Sequence, residues 1–386
     1  MADTHTVSTQ NEADRLTRNK QVAWDHFRAL AEGRLEDCLA LVDGGGVFWR
    51  NAAFGGKRPS VSLQVWKDAI AAMIERRVPI PWQAEHVHLI TMFAEGDQVV
   101  LEIHNDSMPY HEGRRDESYD MVYIFVVEVR DGRIVSLREY PDGFFMAVML
   151  ADGTAPEHGV DDWWDLKARE KAPHYQLPEG ACDSCGLPHV DHVPTLTGLS
   201  PEQAQAQRNK QIAWAHLHAV DEGRLDDALA LLSTEGYFWG GARIGGKVDP
   251  ATSIENWRRE LTAIIAQKLP MPWTGGAHLI NAVAEGDQVL LEVHNTSRLH
   301  AHFPPQGDYD MIYAWLMTMR DGKILDIREY PDGVYGVHIL GKFWPETGGS
   351  VSPNSLLGEF PPYQPPQGAC LRCNKIHQHE IEPFLA

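Results

Sequence analysis

Apolar positions in this chain first recur at helical spacing and then at alternate positions, and the whole sequence of events happens twice. In the later stretch Trp214, Leu217 and Val220 fall on one helical face. Ser200 can cap that helix, Pro201 fits its first turn, Gln203 can close a capping box, and Gly223 ends it, as Gly33 ends the earlier one. Short second helices are predicted over 35–42 and 225–232, and third helices over 62–76 and 252–267, the last opened by Asp249-Pro250. Past the links Pro79-Ile80-Pro81-Trp82 and Pro270-Met271-Pro272-Trp273 the pattern becomes β-rich, over 88–94, 98–106, 119–130 and 133–140. Asp131-Gly132 and Asp321-Gly322 are hairpin turns by composition. Helices followed by an antiparallel sheet predict an α+β fold.

The two stretches are copies. Residues 18–42 return as 208–232 and residues 119–143 return as 309–333, at an offset of 190 in both places. We therefore expect a loose tail (1–10), a first domain (11–150), a connecting tail (151–199), a second domain (200–340) and a C-terminal tail (341–386), with the two domains acting as an internal pseudo-dimer. A polar group present in only one copy is not demanded by the fold.

A length of 386 residues lets each of two domains bury its own core. The formal charge of −20 repels phosphate backbones and anionic lipid, which argues against nucleic-acid and membrane partners. No apolar run is long enough to span a bilayer. The opening residues lack a basic start and an apolar stretch, so no signal peptide is expected. Of five cysteines, four form two CxxC pairs, which suits a reducing cytoplasm better than a secreted disulfide scaffold.

Three helices, a curved sheet and a final hairpin reading DGRIVSLREYPD resemble the NTF2-like superfamily, which includes ketosteroid isomerase-like and SnoaL-like domains and limonene-epoxide hydrolase. The resemblance covers most of both repeats and implies two cone-shaped domains, each with three helices packed on a curved antiparallel sheet around an apolar pocket. Limonene-epoxide hydrolase carries an Arg-x-Asp, a second Asp on the last strand and a Tyr-x-Asn. Here His104-Asn105-Asp106, Glu139 and Trp49-Arg50-Asn51 stand in those places, with His for Arg, Glu for Asp and Trp for Tyr. The resemblance implies catalytic roles for His104, Asp106, Glu139 and Asn51. Trp49, Asn105, Tyr119 and Asp120, with His294, Asn295 and Glu329 of the second repeat, form the expected substrate-binding set. The second repeat has Thr296 for Asp106 and Gly241 for Asn51, so the first is expected to hold the more complete site.

His104 and Asp106 lie two apart on a strand and share a face. A histidine between two carboxylates can keep one ionised and the other protonated, supplying a base and an acid near neutral pH. The opposite register puts Asn105, Leu101 and Ile103 inward and sends His104 away from the pocket. Glu139 alternates with Leu137 and Val135, which favours an inward, partnered carboxylate. Arg138 and Arg328 look like outer-face residues, and Cys38 like core. The expected activity is that of a lyase or isomerase acting on an aromatic, terpenoid or polyketide substrate without an organic cofactor. The alternatives are an epoxide hydrolase and a non-catalytic binding or scaffold protein, and further homo-oligomerisation stays open.

The tails carry a second chemistry. Cys182 and Cys185 are followed by His189 and His192, and Cys370 and Cys373 by His377 and His379. Thiolates at CxxC spacing with imidazoles nearby can complete a structural Zn²⁺ tetrahedron, separately in each tail or as one shared Cys₄ site. A redox dithiol is the rival, without a thioredoxin-like pattern around it.

Overall fold

The computed structural model describes residues 3–50, 60–64, 67, 84–105, 121–141, 179–182, 184–190, 192–240, 251–266, 273–299, 310–331, 364–370, 375–378 and 381–385. The first repeat runs α1 (Asp3–Ala31), α2 (Leu35–Ala40), β1 (Val42–Arg50), β2 (Ser60–Ser62), β3 (Val87–Glu95), β4 (Gln98–Asn105), β5 (Met121–Arg130) and β6 (Arg133–Pro141). The second runs α3 (Pro201–Asp221), α4 (Leu225–Ala230), β7 (Tyr237–Gly240), β8 (Ala251–Ser253), α5 (Ile254–Ala266), β9 (Trp273–Thr274), β10 (Ala277–Glu285), β11 (Gln288–Asn295), β12 (Arg298–Leu299), β13 (Met311–Arg320) and β14 (Lys323–Pro331), and a last turn α6 (Glu382–Leu385) follows. The expected third helix of the first repeat falls mostly outside the described residues; its counterpart is α5. None of the described helices is long and apolar enough to cross a membrane.

Local chemistry sets several element ends as predicted, but Asp249-Pro250 does not open α5: Ala251–Ser253 form β8, and Ser253 Oγ accepts from Asn256 N–H at 3.1 Å at the start of the helix. Ser200 accepts from the Gln203 backbone N–H and the Gln203 side chain returns to the Ser200 N–H, a reciprocal cap that satisfies two otherwise orphaned donors. Asp131-Gly132 and Asp321-Gly322 turn with positive φ at both residues (50° and 74°, 51° and 71°), the geometry that matches the twist of a hairpin.

Each repeat contributes a six-stranded sheet, in the orders β2-β1-β6-β5-β4-β3 and β10-β11-β13-β14-β7-β8. The expectation of wholly antiparallel sheets is corrected: β1 pairs parallel with β6, and β7 parallel with β14. The helix pair, rather than a tight turn from a neighbour, delivers each of these strands, and only a hairpin turn enforces antiparallel pairing.

Both faces of each sheet are buried, against different partners. Val99, Leu101 and Ile103 of β4 pack with Phe27 and Leu30 of α1 in an inner core. Val100, with Val122, Ile124 and Val126 of β5, instead meets Leu290, Ile312, Ala314 and Leu316 of the second sheet. The two sheets thus pack face to face on the sides turned away from the helices.

Arg138 and Arg328 were expected to face outward; instead both reach between the sheets, Arg328 fully buried and Arg138 half-buried, because a face-to-face pair leaves no outer face. Arg138 donates to both oxygens of Glu292 at 2.7 Å, and Tyr140 donates to the same carboxylate at 2.5 Å. Burial alone would lower the Arg138 pKa, and the Glu292 carboxylate more than offsets it. Arg328 and Tyr330 contact Glu102 in the reciprocal arrangement. Lys20–Glu285 (2.8 Å) and Lys210–Glu95 (2.5 Å) repeat the crossing near the helices.

The tails cross as well. The segment following the first repeat pairs with the second sheet, Val190 N–H donating to Leu279 O at 2.7 Å. The C-terminal segment pairs with the first sheet, Gln378 N–H donating to Leu89 O at 2.8 Å. Phe384 O and Leu385 O then accept from Lys20 Nζ and Thr17 Oγ1 of α1.

Candidate functional site

The inner face of the second sheet, α3 and α5 enclose a cavity walled by Phe238, Trp257, Tyr313 and Trp315, with Val293 and Leu217 beside them. Its polar groups are His216, Asp221, Asn295 and Glu329. Glu329 reaches it because it sits two residues after Ile327 of the inner core, while Arg328 and Tyr330 point the other way. Among apolar walls the charged form loses its hydration, and burial pushes the Glu329 carboxyl up to about 8.

Asp221 ends α3 and is held by three N–H groups: Asn295 Nδ2 at 3.0 Å, Ala277 N at 3.2 Å and Gly276 N at 3.4 Å. Gly276 permits this approach, since a Cβ there would lie 2.5 Å from Ser297 N. The Asn295 amide is fixed at its other end too, its Oδ1 accepting from Ser297 N at 3.0 Å. His216 Nδ1 lies 3.0 Å from Ala228 O, so that nitrogen carries the proton and Nε2 keeps the lone pair. Burial pulls His216 down to about 4, against the raising effect of that hydrogen bond, so the ring is neutral near neutral pH.

In the first repeat the proposed constellation is divided by the sheet. His104 shares a face with Glu102 and Val100, the face turned to the second repeat, and its ring meets His377 of the C-terminal tail. Glu139 and Asn105 share the inner face with Leu137 and Ile103, and both are buried. The structure therefore does not bring His104 together with Glu139; strand alternation placed the asparagine, not the histidine, toward the helices. Asp106, Asn51, Tyr119 and Asp120 lie outside the described residues. Trp49, expected to bind substrate, packs between the sheets against Tyr140 and donates its indole N–H to Cys185 O at 2.9 Å.

The second repeat is better equipped than its losses suggested. Asp221 stands where the first repeat has Ala31, so an acid absent from one copy appears in the other at a helix end. Looking for gains as well as losses between the copies would have found it. Of the second repeat's expected substrate residues, Asn295 and Glu329 line the cavity, while His294 faces away from it.

The third assembly lies between the tails and the sheets. Cys182, Cys185, His189 and His294 each offer one donor atom, all within 4.8 Å of one another; His104, Cys370 and His377 form a matching group. His294 belongs to β11 of the second repeat and the other three to the tail after the first. His294 Nδ1 is 3.1 Å from His189 Nε2 and 3.8 Å from Cys182 Sγ, and Cys185 Sγ is 3.4 Å from His189 Nε2. His104 Nδ1 is 3.0 Å from His377 Nε2 and 3.6 Å from Cys370 Sγ. His192 is exposed and outside the group; Cys373 and His379 lie outside the described residues. Burial, then the neighbouring His294 and His278, lower His189 to about 4. Cys38 is the core residue expected, buried beside His26.

Residues 24–137 match the family model described as the SnoaL-like domain. Among solved structures, an M. tuberculosis LEH-like epoxide hydrolase is 17% identical over 36% of this chain and 90% of its own, with a TM-score of 0.27. A putative polyketide cyclase from Xanthomonas campestris pv. campestris is 18% identical over 32% and 90%, with a TM-score of 0.24. A putative ketosteroid isomerase from Kribbella flavida is 16% identical over 32% and 77%, also with a TM-score of 0.24. No curated protein sequence matches the chain.

Proposed function

We propose that the cavity of the second repeat binds a flat, largely apolar small molecule and moves a proton on it, as an isomerase or lyase does. The observation that carries this reading is the placement of Glu329, an inward carboxyl among aromatic side chains with its pKa raised to about 8. Such a group holds its proton near neutral pH and can donate it to a carbonyl or departing hydroxyl oxygen. Asp221 is the complementary acceptor. Its three N–H partners occupy three of a carboxylate's roughly four acceptor positions, which leaves one for a substrate proton. The acid returns its proton count when Asp221 passes the abstracted proton back through water. Phe238, Trp257 and Trp315 supply stacking surface for a ring system.

The SnoaL-like match in the first repeat supports the same class of chemistry, which needs no organic cofactor. In this reading the first repeat serves chiefly as the partner of an internal pseudo-dimer: it keeps an inward Glu139 but has Ala31 in the place of Asp221. The hydrolase alternative is weakened by the separation of His104 from Glu139.

The test is turnover of a panel of aromatic and polycyclic enones and β-hydroxy ketones, with binding followed by quenching of cavity tryptophan fluorescence. Glu329→Gln should keep the quenching and lose at least 100-fold in kcat, on the order of what one general acid supplies. Equal turnover by the variant would remove Glu329 from the mechanism.

A further inference from the structure

We propose that Cys182, Cys185, His189 and His294 together bind one Zn²⁺, so that the tail of the first repeat is clamped by metal onto a strand of the second. The cavity reading plays no part in this proposal. The sequence alone offered His192 as the fourth donor; the fold supplies His294, 105 residues beyond His189.

The donor geometry is that of a small tetrahedron. With Zn–N near 2.0 Å and Zn–S near 2.3 Å, a tetrahedral site has N···N edges of about 3.3 Å and N···S edges of about 3.6 Å. The N···N separation is 3.1 Å, two of the four N···S separations are 3.8 and 3.4 Å, and all the donor atoms lie within 4.8 Å of one another. The reciprocal group gives 3.0 Å for His104–His377 and 3.6 Å for Cys370–His104.

The local backbone is built to present the thiols. Cys182 N–H donates to Leu187 O at 3.0 Å and Gly186 N–H to Cys182 O at 2.7 Å, closing a tight turn with Gly186 at φ 72°. Both sulfurs are thereby turned toward β11. His294 is oriented from behind: its Nε2–H donates to Asp310 Oδ1 at 2.6 Å, and Ser184 contacts the same carboxylate. A carboxylate on one imidazole nitrogen leaves the other as a lone-pair donor aimed at the metal, the usual second support of a metal-bound histidine. Stacking of His189 on His278, with centroids 4.9 Å apart and planes 7° apart, holds the second ring. The set supplies four protein donors and so describes a closed, structural site. Binding releases the two thiol protons and involves no change of oxidation state.

The reciprocal set places His104 of the first repeat with Cys370 and His377 of the C-terminal tail. Each tail thus reaches the sheet of the other repeat, and the chain is laced twice.

The experiment is metal analysis of the full chain purified without chelator, followed by Co²⁺ titration of chelator-stripped protein. Bound zinc and a cobalt spectrum with thiolate charge-transfer and tetrahedral d–d bands are expected. His294→Ala should lose about one equivalent of metal per chain, while His192→Ala should lose none. His294→Cys should restore the equivalent and strengthen the charge-transfer band, which separates loss of a ligand from loss of the fold. Wild-type protein that takes up neither metal, or His294→Ala protein with unchanged stoichiometry and spectrum, would overturn the proposal.

Discussion

Arg138 on the last strand of one sheet and Glu292 in the middle of the other form a two-pronged ion pair, with both N···O contacts at 2.7 Å and the carboxylate fully buried. Arg328 and Glu102 form the counterpart ion pair with the roles of the repeats exchanged, through one oxygen of the carboxylate. Removing one member leaves the other charged and desolvated. Glu292→Ala should therefore cost on the order of 3–5 kcal/mol, read as a lower urea midpoint. Replacing Arg138 and Glu292 together by Met and Leu should recover most of that loss. A single variant as stable as the parent would show that the sheets do not close on this contact.

Glu329 makes stability depend on pH in a definite direction. Its carboxyl ionises at about 8 in the folded chain against 4.5 ordinarily. Below pH 4.5 both states are protonated and nothing is lost. Between 4.5 and 8 only the unfolded chain ionises, so stability falls as pH rises, and above 8 the penalty is constant. Glu329→Gln should thus gain stability over wild type progressively across that window. Glu260, pushed up to about 7 by burial, contributes with the same sign in both proteins and cancels in the difference.

His26 and His216 should behave oppositely. Both rings are pulled down to about 4 by burial, against the raising effect of the hydrogen bond each donates to a backbone carbonyl. The unfolded chain takes up these protons first, so their contribution is lost as pH falls from 6.5 toward 4. Histidine NMR signals assigned by loss in His26→Gln and His216→Gln should titrate near pH 4. Titration near 6.5 would mean that water reaches these rings.

Asp221→Ala converts the second repeat to the residue found at the matching place in the first. Asn295, Gly276 and Ala277 would each lose an acceptor, at a cost of about 1–3 kcal/mol for buried donors left unmatched. The same variant should bind cavity ligands more weakly. Unchanged stability and binding together would remove Asp221 from both the fold's support and the cavity's chemistry.

Features fixed by local chemistry were legible in the sequence. The reciprocal cap at Ser200 and the Asp-Gly turns depend on residues close in the chain. The facing of Arg138, Arg328 and His104 was harder to read. Alternation separates two strand faces but does not say that the polar one meets another sheet; the partners that keep it dry, Glu292, Glu102 and the tail histidine His377, are more than 150 residues away. His294 was missed as a partner of the CxxC turn for the same reason. Asp221 was visible as a difference between copies but sits at a helix end, where an acid usually needs no explanation.

The role of Glu329 turns on one proton, and a site-specific titration tests it most directly. Carboxyl ¹³C NMR of uniformly labelled protein, with the Glu329 signal assigned by its loss in Glu329→Gln, should give an inflection at about pH 8. An inflection near the ordinary 4.5 would place an ionised carboxylate in the cavity at neutral pH and contradict its role as the acid.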